Sequence, residues 1–205
     1  MATETGMEIT AAMVKKLRDL TGAGMMECKA ALTEAKGNIE EATTILRKRG
    51  LAQATKKAGR TTNEGLIGSY IHMGGKIGVL VEVNCESDFV ARTEDFQGLA
   101  REIAMHVAAA SPQYVRREDV PPDVVARERD IYRGQMQDQN KPPQVVDKII
   151  EGKLNSFYEQ VCLMDQPSIR DPKVTIAQTV QAAVAKLGEN ISVARFVRFK
   201  LGESA

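Results

Sequence analysis

The sequence predicts an α+β fold, in which an N-terminal three-helix bundle precedes a core of helices packed with a small three-stranded antiparallel sheet. Two observations carry this prediction. Apolar residues recur at helical spacing in seven segments, whereas only three segments show the pattern of a strand. The helical segments are also grouped along the chain instead of alternating one-for-one with the strands, which favours α+β over α/β architecture.

Composition narrows the functional classes. The 205 residues are 43% hydrophobic and 27% charged, which is typical of a globular protein with one moderate domain and a small module. A net charge of +1 indicates no general attraction to nucleic acid or to an anionic membrane. Cys28, Cys85 and Cys162 form no C-x-x-C pair, so we expect reduced thiols, no disulfide framework, no metal and no cofactor.

The first residues favour a cytoplasmic location. Residues 1–10 carry acids where a signal peptide needs a basic region, and no stretch approaches the roughly 18 apolar residues of a membrane span. We expect a flexible leader over residues 1–8 and no membrane partner. If the source is eukaryotic, an organellar matrix or stroma is the corresponding location.

The three-helix bundle is predicted over residues 9–50. Thr10 and Asn38 can cap its first and third helices, the glycines of residues 21–24 and Gly37 separate the helices, and Gly50 is expected to end the third. The side chains expected on the apolar faces are those of Met13, Leu17, Leu20, Cys28, Ala31, Leu32, Ala35, Ile39, Ala42, Ile45 and Leu46.

A basic linker, which can itself be helical, is predicted over residues 51–60, and the α+β core and dimerisation domain over 61–205. From Arg47 to Arg60 the chain carries six bases and no acid. This segment offers an alternative function, an RNA-binding or ribosome-associated protein, whereas its structural interpretation is a solvated helix surface. Aromatic residues are absent from it, so stacking platforms for nucleic acid are not predicted.

The three strands are predicted at 66–72, 77–83 and 191–201. Met73, Gly74 and Gly75 form a tight turn between the first two, because glycine tolerates the positive φ angles of such turns. In the last strand, Ile191, Val193, Val197 and Phe199 share one face. Three strands leave edges and one face to cover, for which oligomerisation is one solution.

Four longer helices complete the core. Thr93 can cap the first of them, which ends near Pro112, and the next two begin at Pro121 and Pro142, since proline fits a first helical turn. Gly188 ends the last. The residues predicted to form the buried stripes are Phe96, Leu99, Ile103, Val107, Val146, Ile149, Ile150, Leu154, Phe157, Val180, Val184 and Leu187.

Catalytic and phosphate-binding patterns are weak. The stretch TGAGMMECK lacks the G-x-x-x-x-G-K-[ST] spacing and follows a helix, so a helix-to-helix turn is the better interpretation. His106 lies on an apolar helix face and is predicted to be packed, whereas His72 lies exposed beside the hairpin turn. Neither is paired with a nucleophile in a local motif, so no catalytic residue is predicted.

The segment NCESDFVAR, residues 84–92, connects a strand to a helix and yet carries Phe89 and Val90. Most large apolar residues are buried in their own fold, so one interpretation is a plug beneath the turn. Asp88, Phe89 and Val90 are consecutive, however, and they cannot all face inward. Presentation to another molecule is the second interpretation.

Three separated motifs resemble the elongation factor Ts family of bacteria and organelles, in its short form. They are ITAAMVKKLRDLTGAGMMECKAALTEAKGNIEEA, LVEVNCESDFVAR and GENISVARFVRF, and the similarity runs from about Ile9 to Gly202. The family's T-D-F-V signature is S-D-F-V here, because Ser87 replaces threonine and keeps the hydroxyl. The resemblance implies a UBA-like bundle.

This resemblance implies a guanine nucleotide exchange factor that binds elongation factor Tu·GDP, promotes GDP release and has no catalytic site. Its implied contacts with the G domain of elongation factor Tu are Arg18, Met25, Met26, Ser87, Asp88, Phe89 and Val90. Phe89 would act as a wedge near the magnesium and phosphate region. A homodimer is also implied, forming a 2:2 complex in which His72 faces another domain of the GTPase.

Overall fold

The structure is a computed structural model that describes residues 9–136 and 142–203. The α+β class is confirmed. The elements are α1 (Ala11–Thr21), α2 (Met25–Glu34), α3 (Ile39–Lys57), β1 (Glu64–Ile71), β2 (Ile77–Cys85), α4 (Asp88–Ala91), α5 (Glu94–Ala110), α6 (Pro122–Gly134), α7 (Pro143–Val161), α8 (Ile176–Leu187) and β3 (Ile191–Lys200), with short 3-10 helices at Arg117–Asp119 and Leu163–Asp165. The leader expected over residues 1–8 lies outside the described residues.

Two compact units make up the described chain, and each combines several segments. Unit 1 takes the residues up to Gly65, Asn84–Phe96 and Val180–Ser192. Unit 2 takes Leu66–Val83, Gln97–Thr179 and the residues from Val193 onward. The domain boundaries expected at residues 50 and 60 stay a prediction.

Helices α1 to α3 form the expected bundle in unit 1. Thr10 Oγ1 accepts the Met13 N–H at 3.3 Å, and Asn38 Oδ1 accepts the N–H groups of Glu40 and Glu41 at 2.9 and 3.1 Å, so both predicted caps are confirmed. The buried core consists of Val14, Leu17, Cys28, Ala31, Leu32, Ala35, Ala42 and Leu46.

Leu20 departs from the prediction that it belongs to the apolar face, because 64% of it is exposed. The buried stripe of α1 is centred on Val14 and Leu17. At about 100° per residue, Leu20 is rotated about 120° away from Val14, which turns it out of the bundle.

The third helix does not end at Gly50 as expected but continues to Lys57. A Cβ built at Gly50 would lie 3.0 Å from the Ala185 Cβ, so the glycine permits close packing of α3 against α8. The residues that follow, mostly alanine, glutamine and lysine, are good helix formers. Gly50 is therefore a packing position inside a helix, and residues 51–57 are helical.

The sheet has the order β1-β2-β3. The predicted hairpin turn is confirmed: Gly74 and Gly75 have φ angles of +87° and +68°, and the His72 N–H donates to the Ile77 carbonyl at 2.9 Å. The Leu201 N–H donates to the Lys76 carbonyl at 2.8 Å, which aligns β3 antiparallel to β2.

Helix α5 covers the inner face of the sheet in unit 2. Val79, Val81 and Val83 are buried there at alternate positions, as the period of two predicts. A Cβ at Gly68 of β1 would lie 3.1 Å from the Ala100 Cβ, and Arg198 Nε of β3 donates to the Ala108 carbonyl at 3.3 Å. The helix therefore contacts both outer strands.

The opposite face of the sheet is apolar and exposed. A Cβ at Gly78 would lie 3.0 Å from Ile71 Cδ1, and Glu82 pairs with Arg195 at 2.7 Å, so these residues of neighbouring strands share that face. We call its apolar part the outer face. Its members, with their exposed fractions, are Ile67 (58%), Ile71 (67%), Leu80 (47%), Val197 (40%) and Phe199 (64%).

Strand β3 is thus buried only at its beginning. Ile191 and Val193 are 5% and 0% exposed, whereas Val197 and Phe199, predicted on the same face, are exposed. Arg198, at an even-numbered position, donates to the Ala108 carbonyl of α5 and its side chain is 14% exposed, so the inward-facing positions of β3 change from odd to even between Val193 and Arg198.

The starts and ends of the remaining helices agree with the predictions. Thr93 Oγ1 accepts the Phe96 N–H at 3.3 Å, and α6 and α7 begin directly after Pro121 and Pro142. Gly188 follows α8 with a φ of +79°. The predicted core residues that are buried are Phe96, Leu99, Ile103, Val107, Ile150, Leu154, Val180 and Val184.

Candidate partner-binding site

Residues 87–90 form a short helical turn between β2 and α5, called the 87–90 turn below. Ser87 is the N-cap of α4, and its Oγ accepts the Val90 N–H at 3.4 Å. Asp88 and Val90 are half-buried, and Phe89 is 79% exposed. The interpretation of Phe89 as a plug beneath its own turn is therefore wrong.

A second cap fixes the exit of the turn. Thr93 Oγ1 donates to the Val90 carbonyl at 2.8 Å and accepts the Phe96 N–H, so α4 and α5 are joined by one hydroxyl. Ala91, the next residue after the turn, is buried. The exposed Phe89 is therefore followed closely by a buried residue and a capped helix start.

The entrance to the turn is bonded to the loop that precedes β3. Glu189 Oε2 accepts the N–H groups of Glu86 and Ser87 at 3.1 and 2.9 Å, and its Oε1 accepts the Ser87 hydroxyl at 2.5 Å. In return, Glu86 Oε1 accepts the Asn190 N–H at 2.6 Å. All of these residues belong to unit 1.

Neither the ion pair nor the thiol near the turn has the features of a reactive group. Asp88 pairs with Arg92 at 2.6 Å, but both side chains are substantially exposed, so the pair contributes little stability. The Cys85 thiol donates to the Ser87 carbonyl at 3.1 Å. Burial, and then the Glu189 carboxylate, raises the pKa of Cys85, so it remains a thiol rather than a nucleophilic thiolate.

The bundle presents a second exposed apolar surface around the turn between α1 and α2. Leu20, Met25 and Met26 are 64%, 50% and 76% exposed, and we call them the bundle surface. Arg18, also a predicted site residue, is exposed on α1. Leu20 was missed because the spacing i, i+4, i+7 from Met13 assigned it to the core.

Local hydrogen bonds hold this surface. The Thr21 hydroxyl donates to the Leu17 carbonyl at 2.7 Å, and Glu27 Oε2 accepts the Gly24 N–H at 3.3 Å. Gly22 has a φ of +69° and lies against the Lys186 side chain, where a Cβ would approach Lys186 Cδ to 3.1 Å. The bundle surface and the 87–90 turn thus belong to the same compact unit.

The other predicted site residue, His72, belongs to unit 2. It is exposed at the end of β1, and its Nδ1 lies 3.1 Å from the Tyr70 hydroxyl. Arg18, Met25 and Met26 therefore belong to the same compact unit as residues 87–90, and His72 belongs to the other unit.

His106 is packed as predicted. It is 1% exposed, its Nε2 lies 2.9 Å from Gln166 Oε1, and its Nδ1 accepts the Ile169 N–H at 3.4 Å. Burial lowers the pKa of His106, so the neutral ring is favoured. Both nitrogens are occupied by structural partners, which leaves neither for acid-base chemistry.

The basic segment is largely engaged in internal contacts. Arg49 pairs with Glu34 at 2.5 Å, Arg60 with Glu86 at 3.4 Å, and Lys57 Nζ donates to the Gly188 carbonyl at 2.6 Å. These contacts favour a structural role for the segment. Within residues 9–136 and 142–203, no cluster of three potential ligands could hold a metal ion, and no helix has the length and hydropathy to cross a membrane.

Comparison with known proteins decides the family. The family model described as "Elongation factor TS" matches residues 2–203. The chain belongs to the elongation factor Ts family. Among its relatives, elongation factor Ts of Fervidobacterium nodosum is 61% identical over 197 residues, covering 96% of this chain and 100% of the relative.

Two further relatives agree. Elongation factor Ts of Solibacter usitatus is 58% identical over 197 residues, which cover 96% of this chain and 93% of the relative. Elongation factor Ts of Thermosipho melanesiensis is 59% identical over 195 residues, covering 95% and 100%. Family membership assigns the chain a role in translation elongation.

Proposed function

We propose that this protein is the guanine nucleotide exchange factor of elongation factor Tu, and that it binds the GDP-bound GTPase and promotes GDP release. Phe89 carries the proposal, since this large apolar side chain is 79% exposed on a turn whose two ends are held by hydrogen bonds. High exposure of a large aromatic ring on a held turn is typical of a side chain that is buried by a partner.

Linkage explains how such a ring can drive exchange. An exchange factor accelerates release only if it binds the loosened or empty GTPase better than the GDP-bound one. A buried phenylalanine contributes roughly 1.5–3 kcal/mol of transfer free energy. If that burial occurs chiefly when the nucleotide site is loosened, the whole contribution favours release.

The bundle surface supplies a second contact with the same G domain. Met25 and Met26 are exposed and conformationally adaptable, and Arg18 adds an exposed charge on α1. Because the bundle surface and the 87–90 turn belong to one compact unit, binding through one raises the effective concentration of the other. His72 is proposed to contact a different domain of the GTPase.

The outer face supports a homodimer and hence a 2:2 complex. Its five exposed apolar side chains form one side of the sheet, and an apolar surface of this kind favours association. Glu82 and Arg195 carry opposite charges on the same side of the sheet, which suits a surface that pairs with a second copy of itself.

The remaining parts of the proposal follow from this role. The protein performs no chemistry of its own, since exchange requires binding energy and not a catalytic group. Its proposed location is the cytoplasm, or the organellar compartment that holds the GTPase if the source is eukaryotic.

Release of labelled GDP from elongation factor Tu tests the proposal. Phe89→Ala is expected to lower the stimulated release rate by more than about a hundredfold, which corresponds to about 3 kcal/mol. The fold should be intact, because the Phe89 side chain is 79% exposed. Ile131→Ala, which truncates another exposed apolar side chain (46%), is the matched control and should match the unmodified protein. Equal rates for Phe89→Ala and the control would refute the role of Phe89.

A further inference from the structure

Glu189 is the residue that holds the entrance of the 87–90 turn. It lies between α8 and β3, about a hundred residues along the chain from the turn, and one carboxylate accepts three hydrogen bonds from Glu86 and Ser87. Hydrogen bonds to an ionised carboxylate are about twice as strong as those between neutral groups. The pattern therefore makes Glu189 the principal anchor of this segment.

The four-residue helix α4 needs such an anchor. A single helical turn does not form on its own, because fixing its dihedral angles costs more than its first hydrogen bond contributes. Its geometry must be imposed at its ends. Thr93 acts at the exit, and Ser87 with Glu189 acts at the entrance.

The Ser87 hydroxyl links Glu189 to α4 through two hydrogen bonds, and we call this link the relay. It donates its proton to Glu189 Oε1 at 2.5 Å, which leaves its lone pairs to accept the Val90 N–H at 3.4 Å. A hydroxyl that donates to a carboxylate is polarised, and its oxygen then becomes a better hydrogen-bond acceptor. Glu189 thereby stabilises the cap of α4 through Ser87, without contacting Phe89.

The loop is itself fixed. The Asn190 N–H donates back to Glu86 Oε1 at 2.6 Å, and Asn190 Nδ2 donates to the Arg60 carbonyl at 2.7 Å. Glu86 and Glu189 therefore form a reciprocal clamp between the two segments.

We propose that Glu189 is a positioning residue for nucleotide exchange, and that it presents Phe89 to the GTPase in a single orientation by fixing Ser87. The proposal rests on the proposed function. Without Glu189 the turn samples several conformations, and only a fraction of molecules presents Phe89 correctly, so apparent activity falls by that fraction.

The first test is Glu189→Gln in the GDP-release assay. The amide keeps one acceptor oxygen for the two backbone N–H groups, but its NH2 group can only donate, so the Ser87 hydroxyl loses its charged acceptor while size is kept. We expect release to slow by about tenfold, the effect of losing hydrogen bonds to one charged group. Glu102→Gln is the matched control, because Glu102 is a partly buried carboxylate paired with Arg170 and does not contact the turn.

Ser87 separates positioning from a general structural role. Ser87→Ala removes the relay and should lower the protection of the Val90 amide from hydrogen exchange, whereas Ser87→Thr keeps the hydroxyl and should retain that protection. Glu189→Gln combined with Phe89→Ala should be no slower than Phe89→Ala alone, because Glu189 acts through Phe89. An equal further loss in that background would overturn the proposal.

Amide hydrogen exchange of the free chain measures directly whether the hydrogen bonds of the clamp are formed. The Glu86, Ser87 and Val90 amides should lose protection in Glu189→Gln, and their unchanged protection would contradict the proposal. If the unmodified protein accelerates release and Glu189→Gln does so equally well, the positioning role fails while the exchange function stands. If Phe89→Ala also leaves release unchanged, the proposed function fails with it.

Discussion

Phe89 and Phe199 are both exposed phenylalanines, at 79% and 64%, but their surroundings differ. Phe89 stands on a turn beside Asp88, which is paired with Arg92. Phe199 belongs to the outer face, where four other apolar side chains are exposed on the same side of the sheet.

This difference separates two uses of exposed apolar surface. A single ring on a held turn can enter a small pocket and leave it again, which suits a cycle of binding and release. A broad apolar face on regular strands matches a flat, lasting interface, and such interfaces are more apolar than those of transient complexes. The two regions should therefore respond separately to substitution.

The largest expected effect comes from a charge on the outer face. Leu80→Glu is tolerable in one chain, since Leu80 is 47% exposed, but would bury an unpaired carboxylate in the dimer. We expect the dimer dissociation constant to rise by more than about a hundredfold, or about 3 kcal/mol. Light scattering should then give the mass of one chain, 22.4 kDa, instead of twice that value.

A charge at Phe89 is the matched change at the turn, and it tests whether the turn and the outer face act independently. Phe89→Glu should lose GDP release and keep the mass of the dimer. A dimer that survives Leu80→Glu would remove the outer face from the interface, and an unmodified protein with the mass of one chain would remove the dimer.

An intermediate effect is expected in the bundle, where Leu17 faces inward and Leu20 outward. Leu17 is 0% exposed, so Leu17→Ala should lower the free energy of unfolding by about 2–5 kcal/mol through the cavity it leaves. Leu20→Ala should change that free energy by less than about 0.5 kcal/mol. It should nevertheless weaken binding to elongation factor Tu, because Leu20 belongs to the bundle surface.

Urea unfolding and a binding titration of both variants sharpen the contrast. If Leu20→Ala is as destabilising as Leu17→Ala, Leu20 belongs to the core after all. If it leaves both stability and binding unchanged, the bundle surface is smaller than proposed.

The smallest effect is a loss of stability in mild acid, from His106. Burial lowers the pKa of His106 below its ordinary value of 6.5, so the unfolded chain binds more protons than the folded one below that pH. The stabilisation is therefore complete above about pH 6.5 and is lost progressively as the pH falls through the folded pKa. Protonation of Nδ1 also removes the acceptor of the Ile169 N–H, although Glu102 nearby opposes the shift.

His106→Gln should flatten the dependence of the urea midpoint on pH between 7.5 and 5, relative to the unmodified protein. His72→Gln, at an exposed position, is the control and should keep that dependence. Identical pH profiles for His106→Gln and the control would assign the acid sensitivity to another group.

Local sequence patterns predicted the helix caps and the hairpin turn well, because these features depend on interactions between residues that are close along the chain. Thr10, Asn38 and Thr93 cap helices as expected, and Gly74 and Gly75 form the hairpin turn. Each of these depends on hydrogen bonds or dihedral angles within a few residues. Leu20 and Gly50 were misassigned because their environment is decided by the packing of α1 and by Ala185.

The candidate site was predictable only in part. The motif around Phe89 was recognised from its letters, but its outward orientation needed the structure, since a plug and a wedge have the same sequence. Glu189 stands in the motif GENISVARFVRF, but no local pattern indicated its role, because it acts on residues about a hundred positions earlier.

The sequence by itself determined the α+β class, most helix and strand positions and the family, because periodicity, capping and motif letters are local properties of the chain. Only the tertiary structure decided which apolar side chains are exposed, that Arg198 turns toward α5 and that Glu189 anchors Ser87. These outcomes depend on contacts between distant segments, whose geometry no local pattern contains.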